Sequence, residues 1–139
     1  MKTWEELKQE VHTVTVDKEM AKSLLAMMEI RARAVESLDK AQFASIIVEG
    51  YYEIIKEGMT ALMALDGYKT LSHEALVAYL MEFYKDFSEH EIRFTDQLRK
   101  MRNKIVYQGF FVQGDYLGRN EATIKTVVTK LRKIIKQKL

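Results

Sequence analysis

Between Ala41 and Leu65, apolar side chains recur at Ala44, Ile47, Val48, Tyr51, Ile54, Ile55, Leu62 and Leu65. Steps of three, four and seven residues are those of an α-helix, and the band is too broad for a helix buried on one side only. This segment therefore reads as a central helix covered by more than one neighbour, and the rest of the chain has to supply those neighbours. The absence of proline from all 139 residues removes the strongest helix breaker. Gly50 and Gly58 each lower intrinsic helix stability by ~1 kcal/mol relative to alanine, a cost that fits close approach of a neighbouring helix.

The flanking segments carry their own start and stop signals. Thr3 is placed to cap a turn over Trp4–Val11, with Glu5 and Glu6 suiting the helix dipole. The β-branched run Val11–Val16 breaks the pattern, and Asp17 caps a helix over Lys18–Leu38 with Leu24, Met27, Met28, Val35 and Leu38 on its buried face. A turn at Asp39–Lys40 leads into the central helix, which Gly67 ends. Ser72 caps Glu74–Phe87, whose Leu76, Tyr79, Leu80 and Phe83 face inward. Ser88 and Glu91 form a capping box for the next helix, with a stripe of Phe94, Leu98, Met101 and Ile105 and a stop at Gly109. A loop of about ten residues follows, of a length that often carries function. Asn120 then caps a last helix with Ile124, Val127, Val128, Leu131 and Ile135 towards the core. Short connections between long helices favour antiparallel neighbours. The expectation is an all-α, five-helix up-and-down bundle with a short extra N-terminal helix, one domain over residues 1–139 with its core at roughly 18–138.

Several kinds of chemistry are excluded by what is missing. Without cysteine there is no disulfide framework, thiolate metal site or thiol nucleophile. No stretch approaches the ~20 apolar residues of a membrane span, and the start Met-Lys-Thr-Trp-Glu-Glu lacks a secretory apolar core, so the expected location is cytoplasmic with no membrane partner. A di-iron bundle needs Glu-x-x-His pairs, and none of His12, His73 and His90 lies three residues after a glutamate. No metal or cofactor is expected. His73 and His90 read as surface residues, and Glu49, Glu53 and Glu57 as a solvated stripe. The charge is uneven: residues 1–70 hold 9 basic against 12 acidic side chains, residues 71–139 hold 13 against 8. The segment Arg119–Leu139 is steepest, with seven basic residues against Glu121 alone. Such an end can attract phosphate or an acidic partner surface, but cations near a helix C-terminus also suit the dipole, and a solvated face is the plainer reading.

Polar residues of a specific kind interrupt the pattern in Leu98-Arg99-Lys100-Met101-Arg102-Asn103-Lys104-Ile105-Val106-Tyr107-Gln108-Gly109. Arg102 flanks the buried stripe, and Arg99, three residues earlier, lies on the same side. Arginine suits bidentate phosphate binding and stays charged at any relevant pH. Tyr107 follows Arg102 by five residues, about 140° further round the helix, so the two are expected to diverge within one helix. They would converge only where two copies of this helix meet about a two-fold axis. A plainer alternative pairs Arg102 with Asp96 or Glu91 and leaves Tyr107 as half-buried packing.

The segment Arg102-Asn103-Lys104-Ile105-Val106-Tyr107 resembles the signature of HEPN domains, small all-α proteins marked by Arg, four to six residues, then His near the end of the fourth helix. Here Tyr107 takes the histidine position. The stretch Ala61-Leu62-Met63-Ala64-Leu65-Asp66-Gly67-Tyr68-Lys69-Thr70-Leu71-Ser72-His73-Glu74-Ala75 resembles that family's junction between helices two and three. The resemblance implies a bundle that dimerises through the helix containing Arg102. In active members it implies a metal-independent RNase site built from both subunits, often in the toxin half of a pair with a minimal nucleotidyltransferase. Carried over, Arg102 would grip the scissile phosphate, Asn103 would assist, and Tyr107 would take the acid/base place. A phenol of pKa ~10 is a poor substitute for imidazole near ~6.5. The resulting expectation is a catalytically degenerate homodimer that binds RNA, a nucleotide or a partner nucleotidyltransferase through Arg99, Arg102, Asn103 and Tyr107. The alternatives are a metal-independent RNase using Arg102 and Tyr107 across the dimer, and a motif that serves dimer packing alone.

Overall fold

A computed structural model describes residues 1–139 and is mostly helical. In order it runs α1 (Trp4–Leu7), a 3-10 turn (Lys8–Glu10), β1 (Val11–Thr13), α2 (Lys18–Glu36), α3 (Ala44–Asp66), β2 (Tyr68–Thr70), α4 (His73–Phe83), α5 (Glu89–Gln108) and α6 (Asp115–Lys138). No helix is long and apolar enough to cross a membrane.

Helix α3 is the centre. It packs against α2, α4, α5 and α6, and Tyr52, Ile54, Ile55, Met59 and Leu62 are fully withdrawn from solvent. Its two glycines are where neighbours come closest. A Cβ on Gly50 would lie 2.5 Å from Val35 Cγ2 on α2, and one on Gly58 would lie 3.0 Å from Leu131 Cδ1 on α6 and 3.1 Å from Met28 Cε on α2. The inward faces expected of α6 are buried at Ile124, Val127, Val128, Leu131 and Ile135. Thr3, Asp17, Ser72 and Ser88 cap as read, Ser88 with Glu91 in a capping box; Thr3 adds a capping box of its own, with the Glu6 side chain reaching back.

The departures are local. Helix α3 begins at Ala44, because Asp39–Phe43 form a turn in which Gln42 N–H donates to Asp39 at 2.9 Å. Helix α4 stops at Phe83, which is half exposed while its ring centroid stays 5.2 Å from that of Trp4. Met27 is exposed, so the buried face of α2 runs through Ala21, Met28 and Val35. Helix α6 starts at Asp115; Asn120 lies inside it, its amide donating to Tyr116 O at 2.9 Å rather than capping. A short antiparallel ribbon pairs Val11 with Thr70, His12 with Lys69 and Thr13 with Tyr68. Gly67 makes that ribbon possible. Its positive φ of 83° ends α3, and its carbonyl accepts from Val14 N–H at 2.9 Å.

The end of α3 is also tied electrostatically. Asp66 accepts hydrogen bonds from Tyr79, from Tyr84 at 2.5 Å and from Lys138 at 3.1 Å. Burial pushes the Asp66 carboxyl up, but the hydrogen bonds from both tyrosines and Lys138 outweigh it and hold it below its ordinary value. Asp66→Asn is expected to cost about 1–3 kcal/mol of stability near neutral pH. A carboxyl with a lower pKa folded than unfolded contributes fully above the unfolded value and loses that contribution as pH falls through the folded one. Urea denaturation of wild type and variant should therefore show the gap closing below pH ~4.

Candidate functional site

Helix α5 carries the Arg-Asn motif along the side of α3 and α4. Phe94 and Leu98 anchor it in the core, while Met101 and Ile105 are half-buried towards its C-terminal end. That anchoring turns Arg102 across the surface of α3. Its Nη2 donates to Glu53 Oε1 at 3.0 Å and its Nη1 to Asn103 Oδ1 at 3.4 Å, while its buried Nε has no partner. The Arg102 guanidinium carbon is 5.8 Å from the ring centroid of Tyr52 and 6.0 Å from that of Tyr107. Such distances allow attraction between a cation and the face of an aromatic ring.

Glu53 is clamped between two cations, since its second oxygen lies 2.6 Å from Lys56 Nζ. Burial would push the Glu53 carboxyl up, but the hydrogen bond and charge of Lys56, with the charges of Arg102 and Arg31, hold it below the usual range. Beneath the pair, Tyr52 is fully buried and its hydroxyl sits 3.2 Å from His73 Nδ1, at the first residue of α4. Burial raises the Tyr52 phenol well above its ordinary value, so it is neutral at any physiological pH. The His73 imidazole is held below its ordinary value first by burial and then by Lys56, Arg102 and Arg99, against the opposing charge of Glu53.

Each expected site residue now has a place. Arg99, Arg102 and Asn103 share one side of α5, but Arg99 is engaged with Asp96 at 3.0 Å, where Lys100 approaches the other oxygen at 3.6 Å. Arg102 pairs with neither Asp96 nor Glu91; Glu91 takes Lys130 at 2.7 Å instead. The expected divergence of Arg102 and Tyr107 within one helix does not hold. Their Cβ directions differ, but the long arginine side chain bends over the Tyr107 ring, so one copy brings the two together. Tyr107 is 74% exposed rather than half-buried packing. Phe111, at 81%, and the half-exposed Val106 and Phe110 extend the same apolar end, and the connecting loop is pinned by Val112 N–H donating to Ser45 Oγ at 2.8 Å.

Two further corrections concern acids and imidazoles. Glu49, Glu53 and Glu57 are not a solvated stripe: Glu57 is buried against Arg31 at 3.0 Å and Glu53 serves Arg102. His73 is half-buried in the cluster rather than on open surface. Tyr52, Glu53, Lys56 and His73 had no local signal, because their connection to Arg102 runs between helices. The basic α6 is largely engaged, with Lys130 on Glu91, Arg132 and Lys136 on Glu29, and Lys138 on Asp66. No three histidine or acidic side chains are grouped to hold a metal ion.

Comparison with protein-family models, with curated proteins and with solved structures gives no match for this chain. The site must therefore be judged on its own chemistry. It offers a mostly buried guanidinium, a second cation at Lys56, an amide at Asn103 and an exposed phenol ring. Glu53 is the counter-charge on which that arrangement rests. Glu53→Gln is expected to destabilise the fold by about 1–3 kcal/mol in urea denaturation at neutral pH, because Arg102 is left without its carboxylate.

Proposed function

We propose that the chain is a HEPN-like, five-helix up-and-down bundle that forms a homodimer through α5 and binds RNA, with the catalytic motif degenerate. The observation that carries this reading is Arg102 lying over the exposed ring of Tyr107, with Asn103 beside it and Lys56 one residue pair away on Glu53. A guanidinium grips a phosphodiester through paired N–H groups, and an exposed aromatic ring stacks a base without regard to its identity. Single-stranded RNA offers both at each nucleotide. The exposed Val106, Phe110 and Phe111 at the end of the helix suit a second copy, which would leave the Tyr107 ring open and double the cations along one groove. A partner nucleotidyltransferase belongs to the same proposal, as a protein that would meet this end of α5.

The degenerate motif follows from chemistry. Tyr107 replaces an imidazole with a phenol, and an acid/base group must exchange its proton near neutral pH to be effective. Binding without cleavage is the expected behaviour.

The test is titration of purified protein with single-stranded RNA at two salt concentrations, with Arg102→Ala as control. Binding should weaken as salt rises and fall about tenfold or more in the variant, while metal-independent cleavage is absent. Lack of any salt-sensitive RNA binding would remove the reading. Cleavage without metal, lost in Arg102→Ala, would replace it with the ribonuclease reading. Glu53→Gln supplies a second check of opposite sign to its effect on stability: freeing Arg102 and Lys56 should tighten RNA binding severalfold.

A further inference from the structure

The cluster contains one ionisable group for which the Arg-Asn motif has no role. His73 comes from the start of α4, far from the motif in sequence, yet its ring centroid is 5.8 Å from that of Tyr52, the same ring that lies 5.8 Å from the Arg102 guanidinium carbon. One buried tyrosine thus carries an imidazole and a guanidinium about its ring. The hydrogen bonding fixes how the imidazole is presented. The Tyr52 hydroxyl is buried, and its proton has a single acceptor, His73 Nδ1 at 3.2 Å. A neutral phenol that donates there leaves the imidazole proton on Nε2. If His73 takes up a second proton, Nδ1 donates back to the Tyr52 oxygen and Nε2 still carries its hydrogen. In either form Nε2–H is a donor; on charging, the bond to Tyr52 reverses and the phenol proton loses its acceptor, which further opposes protonation in the empty site.

The surrounding groups decide when that charge appears. The imidazole contacts Tyr52 on α3; the charges that act on it are Glu53 and Lys56 from α3 and Arg99 and Arg102 from α5, with Asp96 paired to Arg99. Partial burial first, and then Lys56, Arg102 and Arg99 against the opposing charge of Glu53, hold the His73 imidazole below its ordinary value while the site is empty. A phosphodiester oxygen placed among Lys56, Arg102 and His73 reverses that balance, because each anion bound there offsets the cations that oppose protonation.

We infer that His73, set on the Tyr52 ring that the Arg102 guanidinium also approaches, is a proton-linked contact for an RNA phosphodiester, donating from Nε2 and becoming charged when the anion binds. The inference rests on the RNA-binding reading above and adds to it a residue and a pH dependence. Phosphodiesters do not titrate between pH 5 and 8, so any histidine-linked change in affinity over that range belongs to the protein.

The experiment measures the affinity of a ten-nucleotide oligouridylate at pH 7.5 and pH 5.5, at constant ionic strength, for wild type, His73→Gln and Arg102→Ala. Wild type should bind about three- to sixfold more tightly at pH 5.5, the gain expected when one imidazole pKa rises by about one unit on binding. His73→Gln should bind with about the same affinity at both pH values and so lose most of the gain, whatever contact it loses at pH 7.5; Arg102→Ala should weaken binding at both pH values. If His73→Gln keeps the full gain while Arg102→Ala abolishes binding, the RNA reading stands and the role of His73 is overturned. If wild type does not bind the oligonucleotide, both fall. A measurement on unaltered protein guards against a misfolded variant: NMR titration of the histidine rings with and without excess oligouridylate. The His73 pKa should rise by about one unit while His12 and His90 shift far less. An unmoved His73 overturns the inference.

Discussion

Helix α3 is enclosed on nearly all sides, and that enclosure dictates where polar chemistry can occur. With Tyr52, Ile54, Ile55, Met59 and Leu62 all sealed from water, α3 has no broad face left for solvating its polar side chains. Those it does carry must find partners in the helices laid over it, since a buried polar group without one costs several kcal/mol on transfer scales. Glu57 finds Arg31 on α2, Glu53 finds Arg102 on α5, Tyr51 finds Glu121 on α6 and Tyr52 finds His73 on α4. The candidate site is one member of this set. It differs because the partner side chains there stay close to the surface, and because cations outnumber anions.

That origin explains the divided role of Arg102. As a structural group it neutralises Glu53; as a ligand group it is held ready, its guanidinium placed by Glu53, Asn103 and two aromatic rings. A phosphate arriving there competes with a carboxylate already in place, which tempers affinity and makes Glu53 the residue that sets it. The proximity of Lys56 softens the competition, because Glu53 retains a cationic partner when Arg102 turns outward. Pre-placement lowers the ordering cost of binding, and the Glu53 contact raises the desolvation cost.

Much of this was written in local sequence. The breadth of the α3 band, the cap at Thr3, the capping box at Ser88 and the stop at Gly67 locate most helices, because each depends on residues within one or two turns. The stripe on α5 places Arg102 at the edge of the core before any neighbour is known. What stayed hidden depends on contacts between distant segments. The three-residue strands are too short for an alternating pattern, and they exist because Gly67 offers its carbonyl to Val14. Asn120 is a favoured cap residue, yet α6 starts a turn earlier at Asp115. For the site, the angle between Arg102 and Tyr107 followed correctly from helix geometry, but a flexible arginine is not bound by its Cβ direction. His73 looked like surface because nothing near it in sequence reveals that α4 begins beside Tyr52.

The fastening at the far end of α3 bears on how this chain is made. Ala64 O accepts from Asp17 N–H, Gly67 O from Val14 N–H, and Asp66 holds Lys138, so segments near both ends of the chain meet at one point in its middle. Helix α6, which also covers Gly58, follows the other five helices in the chain and is synthesised after them. Until it leaves the ribosome, α3 has an uncovered side and Asp66 lacks its lysine. The nascent chain therefore holds its central helix incompletely buried until α6 has followed it, and cooperative closure waits on that helix.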